Sequence, residues 1–111
     1  MSERDIPNLM LMLEMVKRIQ EFTGSIHTLE EFEKDAKTYD ACMMDFIVIG
    51  ELVWKLSTEF QEKHSHIEWY KIRAFRNFAA HEYFEIDPEK VWEIIQNKIP
   101  ELKAHLEKIV K

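Results

Sequence analysis

Residues 37–60 read KTYDACMMDFIVIGELVWKLSTEF and contain the longest apolar run of the chain. The run is long enough for six helical turns, so it predicts a long helix. Gly50 lies inside this helix, where glycine costs about 1 kcal/mol relative to alanine, and its position predicts a close crossing by another helix. Asp45 and Glu51 interrupt the run. We expect both to face solvent; the alternative is that one of them points toward the basic residues of positions 64–81 and orients an arginine there.

The preceding residues predict a first helix that runs from Asp5 to about Phe22. Asp5 can cap its beginning, Pro7 suits its opening turn, and Gly24 is a candidate C-terminal cap. Residues 28–31, Thr-Leu-Glu-Glu, fit the capping box that begins a short acidic helix.

Further helices are predicted on the C-terminal side of the long one. Residues 62–65 indicate a loop, and a helix is expected from about Ile67 to His81. Asp87 followed by Pro88 predicts the beginning of the last helix, which Pro100 ends or kinks. With only two glycines and three prolines in 111 residues, the fold class we predict is all-α: an antiparallel bundle of four to five helices forming one domain over residues 1–111.

Composition excludes several classes of protein. The formal charge of −6 argues against a general polyanion binder, and we expect no stable DNA binding. Cys42 is the only cysteine, so no disulfide can form within the chain, which is typical of a reducing compartment. The opening residues lack a secretory signal and the longest apolar run is too short for a bilayer, so a cytoplasmic protein without a membrane partner is expected.

Against this acidic background, residues 64–81 carry three Lys/Arg and one Glu and so form a positive segment. Residues 73–83 within it read RAFRNFAAHEY. Arginine binds phosphate through forked, permanently charged donors, and histidine exchanges protons near neutral pH. These are the side chains needed to cut a phosphodiester without a metal or another cofactor.

The helical spacing of this segment predicts a polar front and an apolar back. At about 100° per residue, Arg73, Arg76, Asn77 and His81 lie on the front, with Ala80 between Arg76 and His81. A bulky side chain at position 80 would fill the gap in which a phosphate could lie. The back is expected to consist of four apolar residues, Ile72, Phe75, Phe78 and Ala79. One helix cannot surround a substrate, so a two-fold partner helix would have to complete the cleft.

Structural roles are open for the same side chains. Arg76 could be an ordinary salt-bridge partner, His81 a residue that stabilises a helix end, and Tyr83 a partly buried aromatic. His64 and His66 could hold a metal, although no further ligand has suitable spacing, so we expect a solvated loop and no metal site. The spacing of the three tryptophans predicts that they belong to the core; they are Trp54, Trp69 and Trp92.

The pattern Arg76-Asn77-x-x-x-His81-x-Tyr83 resembles the signature of the HepT-like toxins, a branch of the HEPN (higher eukaryote and prokaryote nucleotide-binding) superfamily. The resemblance extends over about residues 5–107. Ala74 departs from it, because the family often has glycine two residues before the motif arginine. The other family-like segments are Thr38-Tyr39-Asp40-Ala41, Ile49-Gly50-Glu51, Ile67-Glu68-Trp69, Ile86-Asp87-Pro88 with Val91-Trp92, and Ile99-Pro100-Glu101-Leu102.

The resemblance implies an all-helical homodimer whose two motifs meet in a cleft. It implies a metal-independent endoribonuclease that acts as the toxin of a toxin–antitoxin pair. We expect Arg76 and His81 to be catalytic, with Arg73 and Asn77 supporting them. The expected partners are RNA, a second copy of the chain and a minimal nucleotidyltransferase antitoxin, which would silence the toxin by adenylylating Tyr83. The alternative is a non-catalytic dimeric helical module that binds a nucleotide or such a nucleotidyltransferase.

Overall fold

The computed structural model describes residues 3–111, which form helices and connecting turns and no strand. A 3-10 turn covers Tyr83–Glu85 and a π turn covers Ile94–Lys98. The all-α prediction is confirmed. The α-helices are α1 (Asp5–Phe22), α2 (Leu29–Lys34), α3 (Ala36–Lys55), α4 (Thr58–Lys63), α5 (Trp69–His81), α6 (Pro88–Glu93) and α7 (Ile99–Val110).

Helix α3 lies at the centre and packs against α1 on one side and α5 on the other, while α7 packs against α1. Asp5 at the start of α1 bonds Ser57 just beyond α3, and Arg18 near the end of α1 pairs with Asp45. The two helices are therefore antiparallel. The core between the helices consists mainly of aliphatic and aromatic side chains that exclude solvent, among them Leu9, Met12, Val16, Phe32, Ile49, Val53, Phe60 and Leu106.

Two of the predicted helix beginnings are confirmed. The Thr28 hydroxyl accepts from the Glu31 backbone N–H while the Glu31 carboxylate accepts from that of Thr28, which completes the capping box of α2. Asp87 caps α6 with Pro88 in the first turn. The predicted helix over residues 37–60 breaks near its end, because Ser57 begins a new helix by accepting from the Phe60 backbone N–H.

The bounds predicted for α1 are confirmed, but both of the predicted capping residues are wrong. Arg4 is the N-cap residue and makes no side-chain capping bond, whereas the buried Asp5 carboxylate accepts from the backbone N–H and the hydroxyl of Ser57 at 2.9 and 2.7 Å. Asp5 therefore ties α1 to the start of α4. The helix ends at Phe22 with Thr23 as C-cap, and Gly24 does not adopt a left-handed conformation.

Pro100 neither ends the last helix nor breaks it. A proline ring removes one backbone donor and collides with the carbonyl four residues earlier in a regular helix. The chain widens into the π turn at Ile94–Lys98 immediately before Ile99 and Pro100, so α6, the π turn and α7 follow one another without a loop. Pro100 accounts for this irregularity.

Asp45 is buried, with 1% of its surface exposed, which corrects the expectation that it faces solvent. Its carboxylate accepts from Arg18 Nε at 3.1 Å, across the interface between α3 and α1. Burial raises the pKa of Asp45, and the nearby Arg18 opposes that rise. None of the helices over residues 3–111 has the length and apolar character needed to cross a membrane.

Candidate active site

Arg76 lies where α5 crosses α3, directly over Gly50. A Cβ atom added at Gly50 would overlap Arg76 Cβ and would lie 2.5 Å from Arg76 Cγ. Only glycine leaves room at this point of α3 for the stem of the arginine. The close helix crossing predicted from Gly50 is confirmed.

The Arg76 guanidinium is held by residues of both helices. Its Nη2 donates to Glu51 Oε1 of α3, and its Nη1 donates to Asn77 Oδ1 at 3.0 Å. The Arg76 side chain is 24% exposed, and its Nε is buried without a hydrogen-bond acceptor among residues 3–111. Of the two options left open for Glu51, the second is correct, since this carboxylate orients an arginine. A guanidinium fixed in this way keeps further Nη donors for an anion.

The residues on the C-terminal side of Arg76 leave the front of α5 open. Asn77, Ala80 and His81 are all exposed, and His81 is the last residue of the helix. Ala80 contributes only a methyl group to the surface between Arg76 and His81. The structure thus places the predicted site residues on one accessible stretch of α5, with Arg76 the most buried of those at positions 76, 77 and 81.

Phe78 corrects the predicted apolar back of α5, because it is 44% exposed. Ala79 is buried, and Ile72 and Phe75 pack against the core as expected. The contact over Gly50 turns the packed side of α5 towards Arg76, which lies roughly 160° from Phe78 at about 100° per residue. Phe78 therefore joins the outward side that carries Asn77 and His81.

Tyr83 lies on the 3-10 turn that follows α5 and reaches back to the beginning of α3. Its hydroxyl donates to Asp40 Oδ1, and its ring packs edge-on against Tyr39 with centroids 6.0 Å apart. The hydrogen bond to Asp40, together with partial burial, raises the pKa of Tyr83 to about 12. The next residue, Phe84, is 96% exposed, so the far end of the motif is bordered by an open aromatic ring.

Arg73 lies one turn before Arg76 and stacks on a tryptophan. Its Cζ is 4.8 Å from the centroid of the Trp54 ring, and no carboxylate pairs with it within the described part of the chain. Trp54 is 57% exposed, so its assignment to the core was wrong. Trp69 is buried and Trp92 packs partly against the core, as predicted. Sequence periodicity places Trp54 on α3 but does not reveal that α5 leaves its ring uncovered.

The remaining histidines lie elsewhere. The rings of His64 and His66 are 6.0 Å apart, and His66 lies 4.9 Å from the ring of His105 on α7. Over residues 3–111 no group of three or more His, Cys, Asp or Glu side chains has a metal-binding arrangement. A cavity of about 240 Å³ opens between α5 and α7, lined by Ile72 and Phe75 among others. Because none of the motif side chains lines this cavity, we place the candidate active site on the α3–α5 face instead.

The comparison with known proteins matches this chain to a described family. The model of the family "Ribonuclease HepT-like" covers residues 12–109, a range that includes every residue of the candidate site. No solved structure matches the chain.

Three relatives carry names of the same kind. A protein of Methanocaldococcus jannaschii named as a candidate RNase is 37% identical over 89% of this chain and 81% of its own length. A protein of Caldanaerobacter subterraneus named in the same way is 37% identical over 76% of this chain and 75% of its own. One of Thermococcus cleftensis, named as a candidate ribonuclease HepT, is 33% identical over 88% of each chain. This chain therefore belongs to the HepT-like ribonuclease family.

Proposed function

We propose that this chain is a metal-independent endoribonuclease, the toxin of a toxin–antitoxin pair, and that it cuts RNA as a homodimer. Membership of the HepT-like family supports a ribonuclease, and the names of the relatives agree with RNA as the substrate. The observation that carries the proposal is the Arg76 guanidinium, held by Glu51 and Asn77 on the same accessible stretch of α5 as the exposed His81.

In the proposed reaction the RNA 2′-hydroxyl oxygen attacks the adjacent phosphorus. The bond from phosphorus to the 5′-oxygen of the next nucleotide breaks, and a 2′,3′-cyclic phosphate remains. His81 takes the proton of the 2′-hydroxyl or supplies one to the leaving oxygen. Arg76 donates to the phosphate oxygens on which charge develops, and Asn77 and Glu51 keep the guanidinium in place.

A dimer is supported by the apolar residues on the outward side of this face. Phe78 on α5 and Met44 on α3 are 44% and 59% exposed, and the neighbouring Ala74 and Ala80 are small enough for a second helix to approach closely. A two-fold axis along this side would bring a second Arg76 and His81 to the same cleft, so that one imidazole accepts a proton and the other donates one.

Phe78→Asp is expected to yield monomers by sedimentation analysis and to abolish cleavage. Dimers that persist in this variant would refute the arrangement.

The central test replaces the imidazole. His81→Ala should remove RNA cleavage without altering the circular dichroism spectrum or the unfolding midpoint, because the side chain is exposed. His27→Ala, in the exposed loop before α2, is the matched control and should cut at the wild-type rate. Cleavage should persist in a metal chelator, and an RNA with a single 2′-deoxynucleotide at the cut position should resist. Wild-type rates from His81→Ala would refute the assignment.

Adenylylation of Tyr83 by a nucleotidyltransferase antitoxin is the regulation we propose. The Tyr83 oxygen would attack the α-phosphorus of ATP, pyrophosphate would leave, and the proton would pass to Asp40, which already accepts the hydroxyl hydrogen bond. The added nucleotide would bring bulk and negative charge beside the cleft and repel RNA.

Mass spectrometry after co-expression with the antitoxin should locate AMP on Tyr83. Tyr83→Phe should lose it and remain toxic, while Tyr70→Phe, which alters a more exposed tyrosine, should keep it. AMP found only elsewhere would contradict this regulation.

A further inference from the structure

Trp54 combines a largely exposed indole with a cation that lies against it. It belongs to the last turn of α3 and is 57% exposed, whereas the other tryptophans contribute to the core. Arg73 stacks on its ring at 4.8 Å and pairs with no carboxylate of the described residues. Although the chain is acidic, no carboxylate of the described residues neutralises this guanidinium, and its N–H donors lie beside an open aromatic surface.

We propose that Trp54 is a stacking platform for an unpaired RNA base, with Arg73 binding the sugar–phosphate backbone next to it. This proposal rests on the proposed function and adds the substrate class, RNA that is single-stranded beside the cut. Aromatic rings bind unpaired bases by stacking regardless of base identity, and a neighbouring arginine adds a phosphate contact and a cation–π contribution. A base inside a duplex cannot present its face to such a ring.

The position of the platform relates it to the cleft. Arg73 precedes Arg76 by three residues and His81 by eight, which are about 4.5 and about 12 Å along the helix axis. Trp54 therefore reaches a nucleotide that flanks the scissile phosphate and does not touch the reacting atoms. A second copy of the chain is the competing occupant of this surface, because Met44 on the same helix is equally exposed.

The test measures RNA binding separately from cleavage. In protein carrying His81→Ala, an unstructured adenylate oligomer of about twelve nucleotides is titrated and followed by fluorescence anisotropy and by intrinsic tryptophan emission. Trp54→Ala should weaken binding about tenfold or more and remove most of the emission change, while Trp54→Phe should stay within about threefold of the parent. Met10→Ala, a control that removes an equally exposed apolar side chain from α1, should bind like the parent. A blunt hairpin of the same length should bind more weakly than the oligomer and lose little with Trp54→Ala.

Two outcomes would overturn the proposal. Unchanged binding by Trp54→Ala would show that no base stacks there. Weakened binding that accompanies a fall from dimer to monomer, with both restored by Trp54→Leu, would assign the ring to a subunit contact. The outcomes also separate this proposal from the nuclease assignment. If RNA binding depends on Trp54 but the wild-type protein never cuts RNA, only the nuclease assignment is refuted. If Trp54→Ala cuts and binds RNA normally, only the platform is refuted.

Discussion

Replacing Gly50 with alanine tests the geometry on which the candidate site depends. The new Cβ would overlap Arg76 Cβ and lie 2.5 Å from its Cγ. These two atoms are the first of the side chain, so no rotation of the arginine tip relieves the overlap and α3 and α5 have to separate. Separation would draw the Arg76 guanidinium away from Glu51.

The expected loss of stability follows from two opposing terms. Overpacking of a tight contact costs about 1–3 kcal/mol, and the involvement of stem atoms places this case near the upper end. Alanine favours the helix over glycine by about 1 kcal/mol. The free energy of unfolding should therefore fall by about 2 kcal/mol, which corresponds to a midpoint lower by about 8 °C for a domain of this size.

Urea and thermal unfolding followed by circular dichroism measure this change, and RNA cleavage by the same variant should fall with it. Gly24→Ala is the matched control, because its Cβ would lie 3.5 Å from the nearest atoms and the backbone there is not left-handed. Its stability should change by less than about 0.5 kcal/mol. A Gly50→Ala protein that unfolds at or above the wild-type midpoint would refute the close crossing.

Three further predictions concern titration and reactivity. The native pKa of Tyr83 is about 12 against an ordinary 10.0, so the unfolded chain releases this proton first; the free energy of unfolding should fall between pH 10 and about 12, and Tyr83→Phe should lose that slope in urea titrations. The native pKa of Asp45 is also raised, so its protonated form favours the folded state. The free energy of unfolding should therefore fall as pH rises from about 3.8 through the native pKa of Asp45, and Asp45→Asn should lack this dependence. Burial raises the pKa of Cys42 to about 12, so a thiol reagent should label it only as fast as the chain unfolds; rapid labelling of the native protein would contradict its burial.

The helices were predictable because their ends carry local signals. The capping box at Thr28 and the Asp87-Pro88 pair satisfy backbone donors within a few residues of themselves. Asp5 and Ser57 were missed for the opposite reason, since their bond joins residues 52 positions apart. The local sequence around an acid at a helix start is the same whether its carboxylate caps that helix or bonds a residue of another one.

The position of the candidate site residues on one helix was predictable, and their surroundings were less so. Periodicity separated Arg76 and His81 from Ile72 and Ala79, but it does not state which side of α5 meets α3. That choice depends on Gly50, and it decides that Phe78 is exposed. Glu51 and Trp54 come next to Arg76 and Arg73 only through this crossing, so these contacts required the packed structure.

The bond between Asp5 and Ser57 has a consequence for the order of events in folding. We expect it to form only after α1 and α3 have packed side by side, because the two residues lie at the same end of that antiparallel pair. An interaction absent from the folding transition state affects the unfolding rate alone. We therefore expect Asp5→Ala to unfold faster than the wild type in denaturant, while its refolding rate stays unchanged. The bond between Asp5 and Ser57 would then prolong the lifetime of the native state without affecting how fast it forms.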